Sequence, residues 1–262
     1  MLRLEALRKV FRSGPDLVIA LAGIDLHLER GDFLTVIGSN GAGKTTLLNL
    51  IAGAFPPTTG RVWIGGHDVT TQPAHCRARR IGRIVQDPLA GTAPTMTIAE
   101  NLALACRRSG RSFRFALPRR RREEFADRMC RLGMGLEHRL DDPVHLLSGG
   151  ERQALTVTMA TLSRPDILLL DEHTAALDPA NAVAIASLTE RFVDDLGLTT
   201  VMVTHNMEQA IALGNRLAMM HKGEILTQLS GEEKAGMRVD GLIALFARRH
   251  IAEDELLLER IP

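Results

Sequence analysis

The string Gly38-Ser39-Asn40-Gly41-Ala42-Gly43-Lys44-Thr45-Thr46 constrains this chain more than any other feature, because it follows the apolar run Phe33-Leu34-Thr35-Val36-Ile37 and opens a helical pattern. Glycines there let backbone N–H groups curl around an anion, and the helix start adds a favourable dipole. In that setting Gly38 to Thr46 form a phosphate cradle. Lys44 is placed to reach the β and γ phosphates of a nucleotide, and the Thr45 hydroxyl to bind Mg²⁺. A glycine-rich turn without a ligand is the alternative, and it would lose conformational entropy at three glycines for nothing.

A second string supplies the acids such a site needs. Ile167-Leu168-Leu169-Leu170 is an unbroken apolar run, which reads as a buried parallel strand delivering Asp171 and Glu172 at its C-terminal end. Asp171 is placed to hold Mg²⁺ through water and Glu172 to polarise an attacking water. Alone, the pair would read as a helix cap after a core strand; beside the glycine loop it does not. Strand patterns at Ala20 to Leu28, Phe33 to Ile37 and Arg61 to Ile64 surround one helix, Lys44 to Ala52, with Gly53 as its stop. Thr97 to Leu162 reads mostly helical. Alternation then resumes with a strand at Ile167 to Asp171, a helix from Ala182 to Phe192, a strand at Thr199 to Thr204 and a helix from Met207 to Leu213. That alternation predicts an α/β fold with a parallel sheet, and Leu217 to His221 with Glu224 to Leu229 predicts a closing hairpin.

Leu147-Ser148-Gly149-Gly150-Glu151-Arg152-Gln153 is the most informative remaining string. Ser148 and Glu151 form a capping box, so a helix should start here and turn Ala154, Leu155, Val157, Met159 and Leu162 inward. The capping box does not explain Gly149 and Gly150. Two glycines at a helix start leave N–H groups bare for a phosphate brought from outside.

With these strings in place the chain resembles the nucleotide-binding subunits of ATP-binding cassette (ABC) transporters over essentially its whole length. The resemblance is carried by the loop at Gly38 to Thr46, Gln86 in Ile84-Val85-Gln86-Asp87-Pro88, the Leu147 to Gln153 string ending 18 residues before Asp171, Asp178 in Ala176-Leu177-Asp178-Pro179, and His205 in Val203-Thr204-His205. It implies a P-loop NTPase with a RecA-like parallel sheet core, an amino-terminal antiparallel β subdomain and an inserted helical subdomain. The implied division is a catalytic core of residues 1–86 and 160–262 with a helical subdomain of residues 87–159. It also implies ATP and Mg²⁺ as ligands, and a head-to-tail pair of subunits in which each ATP lies between one loop and the other chain's signature string. On that arrangement Ser148, Gly149 and Gly150 meet the partner's γ-phosphate, His205 the γ-phosphate in cis, Gln86 the Mg²⁺ and attacking water, and Asp178 carries communication across the dimer. Phe11 is the positional match for the ring that stacks on adenine in a loop after the first strand. His173 stands where a small residue or proline is usual, and the reading favoured for it is a neutral one rather than a modulator of Glu172.

The implied activity is hydrolysis of ATP to ADP and phosphate, driving a separate membrane permease at the cytoplasmic face of the membrane. Import is favoured because no membrane segment is fused to the chain, with an extracytoplasmic binding protein as a further partner and a homodimer as the expected pair. Glu100-Asn101-Leu102-Ala103-Leu104-Ala105 and the segment from Asp171 to Pro179 resemble a branch linked to aromatic amino acids such as tryptophan or tyrosine. Efflux or lipoprotein release is the alternative, as is a non-transport ATPase acting on nucleic acid. Composition argues against the last: net charge is +1, aromatics make up 3% and there is no Tyr. The stretch between Lys44 and Ser148, a separation of 104 in sequence, also holds no heptad run or metal cluster. The amino end has no apolar leader core, and no apolar run approaches the roughly 18 to 20 residues needed to span a bilayer. Cys76, Cys106 and Cys130 are widely spaced and read as reduced thiols. Arg107 to Arg122 holds eight Arg and no acid, favouring a solvated face over a surface for anionic lipid.

Overall fold

In the central strands both faces are apolar, so alternate residues feed two different cores. Leu34, Val36, Leu169, Val201 and Val203 join one buried cluster, whereas Phe33, Leu168, Leu170 and Met202 join another. The computed structural model describes residues 1–87, 89–106 and 118–247. Pro88, residues 107–117 and residues 248–262 lie outside the described residues, and with them part of the arginine-rich stretch and of the carboxy-terminal segment.

The order is β1 (Leu2–Ser13), β2 (Asp16–Leu28), β3 (Phe33–Gly38), α1 (Lys44–Ala52), β4 (Thr59–Ile64), β5 (His67–Asp68), α2 (Ala74–Arg77) and β6 (Ile81–Ile84). Then follow α3 (Ile98–Ala105), α4 (Arg119–Cys130), α5 (Gly149–Leu162), β7 (Ile167–Asp171), α6 (Pro179–Leu196), β8 (Thr199–Val203), α7 (Met207–Ala212), β9 (Arg216–His221), β10 (Glu224–Ser230) and α8 (Gly231–Ala235). Strands β2-β1-β4-β5 form an antiparallel sheet, and β10-β9-β3-β8-β7-β6 a second sheet in which only β10 runs antiparallel. The expected closing hairpin is β9–β10, and β9 also pairs in parallel with β3, so the hairpin completes the central sheet.

Helix α1 lies between the sheets, burying Leu47, Leu48, Leu50 and Ile51 with Leu2, Leu4 and Leu7 of β1. The other face of the central sheet packs against the helical insert through Ile98, Leu102, Phe125, Leu155 and Val157. Helix α5 runs through the boundary expected at residue 159, so insert and core share a continuous helix. In the described part of the arginine-rich stretch, Arg119 pairs with Glu123 at 3.0 Å, Arg120 with Glu124 at 3.4 Å and Arg122 with Asp141 at 2.6 Å. Those pairs suit a solvated face. Residues 239–247 are helical, and Leu242 is buried with Leu217, Met219 and Leu229, so the described part of the last segment docks on the core.

Candidate functional site

The loop between β3 and α1 is shaped by its contact with the other sheet. Gly43 has φ 95°, and a Cβ there would sit 2.4 Å from the Ala20 carbonyl oxygen of β2. At Gly223, φ 85°, an added Cβ would sit 2.9 Å from the same oxygen, and this residue donates its N–H to the Ala42 carbonyl at 3.1 Å and accepts from the Ala22 N–H at 2.9 Å. Both glycines therefore hold one seam between the sheets. Helix α1 starts from Gly43 with no side-chain cap and no acid in its first turn. Its first N–H groups and dipole are left for an external anion, so the chain's own chemistry fits a phosphate.

Lys44 is buried and its Nζ donates to the carbonyls of Gly38 at 2.7 Å and Ser39 at 3.0 Å. Burial pushes the ammonium pKa down, while the charges of Glu172 and Asp171 push it up. Ser39, Asn40, Gly41 and Thr45 are exposed, Ala42 is buried and Thr46 half-buried. Asp171 ends β7. Burial raises its pKa, Glu172 adds to the rise, and Arg83 and Lys44 oppose it. The Arg83 guanidinium on β6 lies 3.7 Å from Asp171 Oδ2. A half-buried carboxylate between two cations and a free threonine hydroxyl are oxygen donors of the kind Mg²⁺ takes, so the residues fit that ion.

Glu172 has left the strand: its φ is 46°, its N–H donates to the Val203 carbonyl at 3.0 Å, and its Oε2 lies 3.3 Å from Nδ1 of His205. The positions read from sequence as Lys44, Asp171, Glu172 and His205 thus converge at one end of β3, β7 and β8. Gln86 is exposed just past β6. His173 turns away from this cluster; it is 2% exposed, its Nε2 is 3.2 Å from Thr189 Oγ1, and burial pushes its pKa down to about 4.

Phe11 stands on β1 itself, opposite Val18, and not in a loop. Strands β1 and β2 stay paired to Ser13 and Asp16, so the hairpin reaches past the position where a loop was expected. The Phe11 ring is half-exposed, edge-on to Phe55 at 5.3 Å, with Lys9 Nζ 5.0 Å from its centre.

Ser148 accepts from the Glu151 N–H at 3.2 Å while its own N–H donates to Glu151 Oε2 at 2.8 Å, the capping box expected from sequence. Arg139 Nη1 holds the other Glu151 oxygen at 2.7 Å. Gly149 is exposed beside Leu177, and Gly150 is buried against Asn181. Asp178 caps α6, accepting from Asn181 N at 3.1 Å and Nδ2 at 2.6 Å, bonds that hold its carboxyl below the usual range. Sequence reasoning missed Arg83 and Phe55, because their roles depend on which strand or loop lies alongside.

A family model described as ABC transporter matches residues 21–175. The chain belongs to the ABC transporter family. Among its relatives, a tyrosine transport ATP-binding protein of Clostridioides difficile (strain R20291) is 37% identical, with 94% of this chain and 98% of that protein covered. The glycine betaine/carnitine/choline transport ATP-binding protein OpuCA of Bacillus subtilis (strain 168) is 34% identical over 86% of this chain, which spans 57% of that protein. Among solved structures, the dimeric post-hydrolysis state of the ATP-binding cassette MJ0796 bound to ADP and Pi is similar at TM-score 0.72 and 28% identity, covering 88% of this chain and 98% of that one. This ABC chain is a P-loop ATPase whose ligands are ATP and Mg²⁺. No helix among its described residues is long and apolar enough to cross a membrane.

Proposed function

We propose that this ABC ATPase is the energy-supplying subunit of a solute importer, working at the cytoplasmic face of the membrane through a separate permease. The observation that carries the reading is the convergence of Glu172, 3.3 Å from His205, with Lys44 and Asp171 beside an uncapped helix start. Lys44 and the N–H groups of Gly38 to Thr46 bind the phosphates, Thr45, Asp171 and Gln86 are the side chains that hold Mg²⁺, and Phe11 stacks on adenine. The chemistry Mg²⁺ would supply when held there is neutralisation of phosphate charge. Glu172 accepts a proton from the attacking water and His205 donates to the γ-phosphate.

Ser148, Gly149 and Gly150 complete the site of a second copy, with Asp178 between the two. ATP binds the closed pair more tightly than the open one, which is what lets binding and hydrolysis shift their balance. The helical lobe, residues 87–159, is the part that meets the permease. An aromatic amino acid delivered by an extracytoplasmic binding protein is the proposed cargo, supported by the likeness to the tyrosine transport protein over 98% of that protein's length.

Glu172→Gln tests the chemistry. The variant is expected to bind ATP and sediment as a dimer in Mg-ATP while turnover falls at least about a hundredfold. Parental turnover would show that Glu172 is not the base.

A further inference from the structure

The turns that carry Glu172 and His205 leave neighbouring strands, β7 and β8, at the point where their ladder ends with Asp171 opposite Val203. Glu172 sits in the left-handed region at φ 46°, a conformation that strains a non-glycine residue and persists only where its surroundings hold it. On one side His173, next along the chain, is buried against Thr189 of α6; the other side of the turns is open. A cavity of about 630 Å³ opens between α6 and α7, walled by Ala182, Val183, Ala186, Ala212 and Leu213, and both turns border it.

One side chain spans the two turns. Gln209 of α7 accepts from Thr204 Oγ1 at 3.0 Å through its Oε1 and donates through Nε2 to Thr174 Oγ1 at 3.0 Å. Thr174 is two residues past Glu172, Thr204 is one residue before His205, and both are buried. The link is closed on the α7 side as well. Thr204 Oγ1 accepts from the Asn206 N–H at 3.1 Å, and Asn206 Oδ1 caps α7 by accepting from the Gln209 N–H at 2.9 Å. An amide gives and takes a hydrogen bond at once, whereas a carboxylate only accepts and a hydrocarbon does neither.

We infer that Gln209 is a positioning residue that holds the Glu172 turn and the His205 turn in fixed relation across the end of β7 and β8. The inference rests on the roles proposed above for those two residues. Gln209 touches neither the phosphate loop nor the signature string, so its loss should fall on the chemical step and spare nucleotide binding.

The test is steady-state ATP hydrolysis by the full-length chain. Gln209→Met, similar in length but unable to bridge, is expected to lower kcat about tenfold with KM for ATP within about twofold of the parent. Thr174→Val should do the same, Thr174→Ser should restore the parental rate, and Gln209→Met with Thr174→Val should lose no more than the worse single variant. Should Gln209→Met fail to fold, Thr174→Val and Thr174→Ser carry the same expectation. Parental kcat in Gln209→Met or in Thr174→Val, a rise in KM alone, failure of Thr174→Ser, or additive losses would overturn the inference. Glu172→Gln run alongside separates the two claims. If it is inactive while Gln209→Met turns over like the parent, the bridge alone is wrong; if Glu172→Gln keeps parental turnover, both fall.

Discussion

Phe11 gains its assignment from what surrounds the other rings as much as from its own place. With no Tyr in the chain, stacking on adenine falls to Phe or to the single Trp. Trp63 is engaged already: Arg3 covers its ring at 4.8 Å and Glu5 accepts from its indole N–H at 3.1 Å. Phe11 stands on the hairpin whose Ala20 carbonyl touches Gly43, and Phe55 meets it only edge-on, at 84°. Phe11→Ala should weaken ATP binding by about 1 to 3 kcal/mol, roughly five- to 150-fold, without abolishing turnover at saturating ATP. A nucleotide titration checks it, and an unchanged affinity removes the ring from the site. His173, by contrast, is buried and tied to Thr189 of α6.

Between elements, Lys234 shows how the carboxy-terminal part is fastened. Its buried ammonium donates to the carbonyls of Leu213 and Gly214, joining α8 to the end of α7. Burial lowers its pKa from the ordinary 10.5 to about 8, with the charge of Glu190 opposing the shift. Between those two values the unfolded chain binds the proton and the folded chain has released it, so stability should rise with pH from about 8 to about 10.5. Denaturant unfolding across that range should show this rise in the parent and not in Lys234→Met. The same scale decides what was legible in the sequence. Strands β3, β7 and β8 were legible because both faces are apolar, and α5 because Ser148 and Glu151 announce its first turn. The first strand was not. Ala6 has φ 43° and the pairing shifts between Leu4 and Leu7, so the buried positions Leu2, Leu4 and Leu7 break the two-residue period by which a strand is recognised. Arg83 and Gln209 were hidden for a different reason: each acts on a neighbour set by strand order, and no local pattern carries strand order.

At the scale of the whole molecule, the proposed pairing would make one chain hold two halves of different sites. Lys44 lies under the nucleotide loop, while Ser148 and Gly149 are exposed beside Leu177 at the start of α5. If two copies pair head to tail, Lys44→Ala and Ser148→Arg chains should each be inactive alone. Mixed, they should recover part of the parental turnover, because one of the two composite sites then has both its loop and its signature string intact. ATPase assays on the mixture decide it, and no recovery would argue against a site shared between copies. The seam at Ala20 carries a consequence for sequence drift. The atom that meets Gly43 and Gly223 is a backbone oxygen, which every residue possesses. Position 20 is therefore free to accept other side chains as far as this contact is concerned, and the whole constraint passes to two glycines far from it in sequence. A comparison of descendants of this chain that looked for paired changes would find none here, although the contact joins the two sheets.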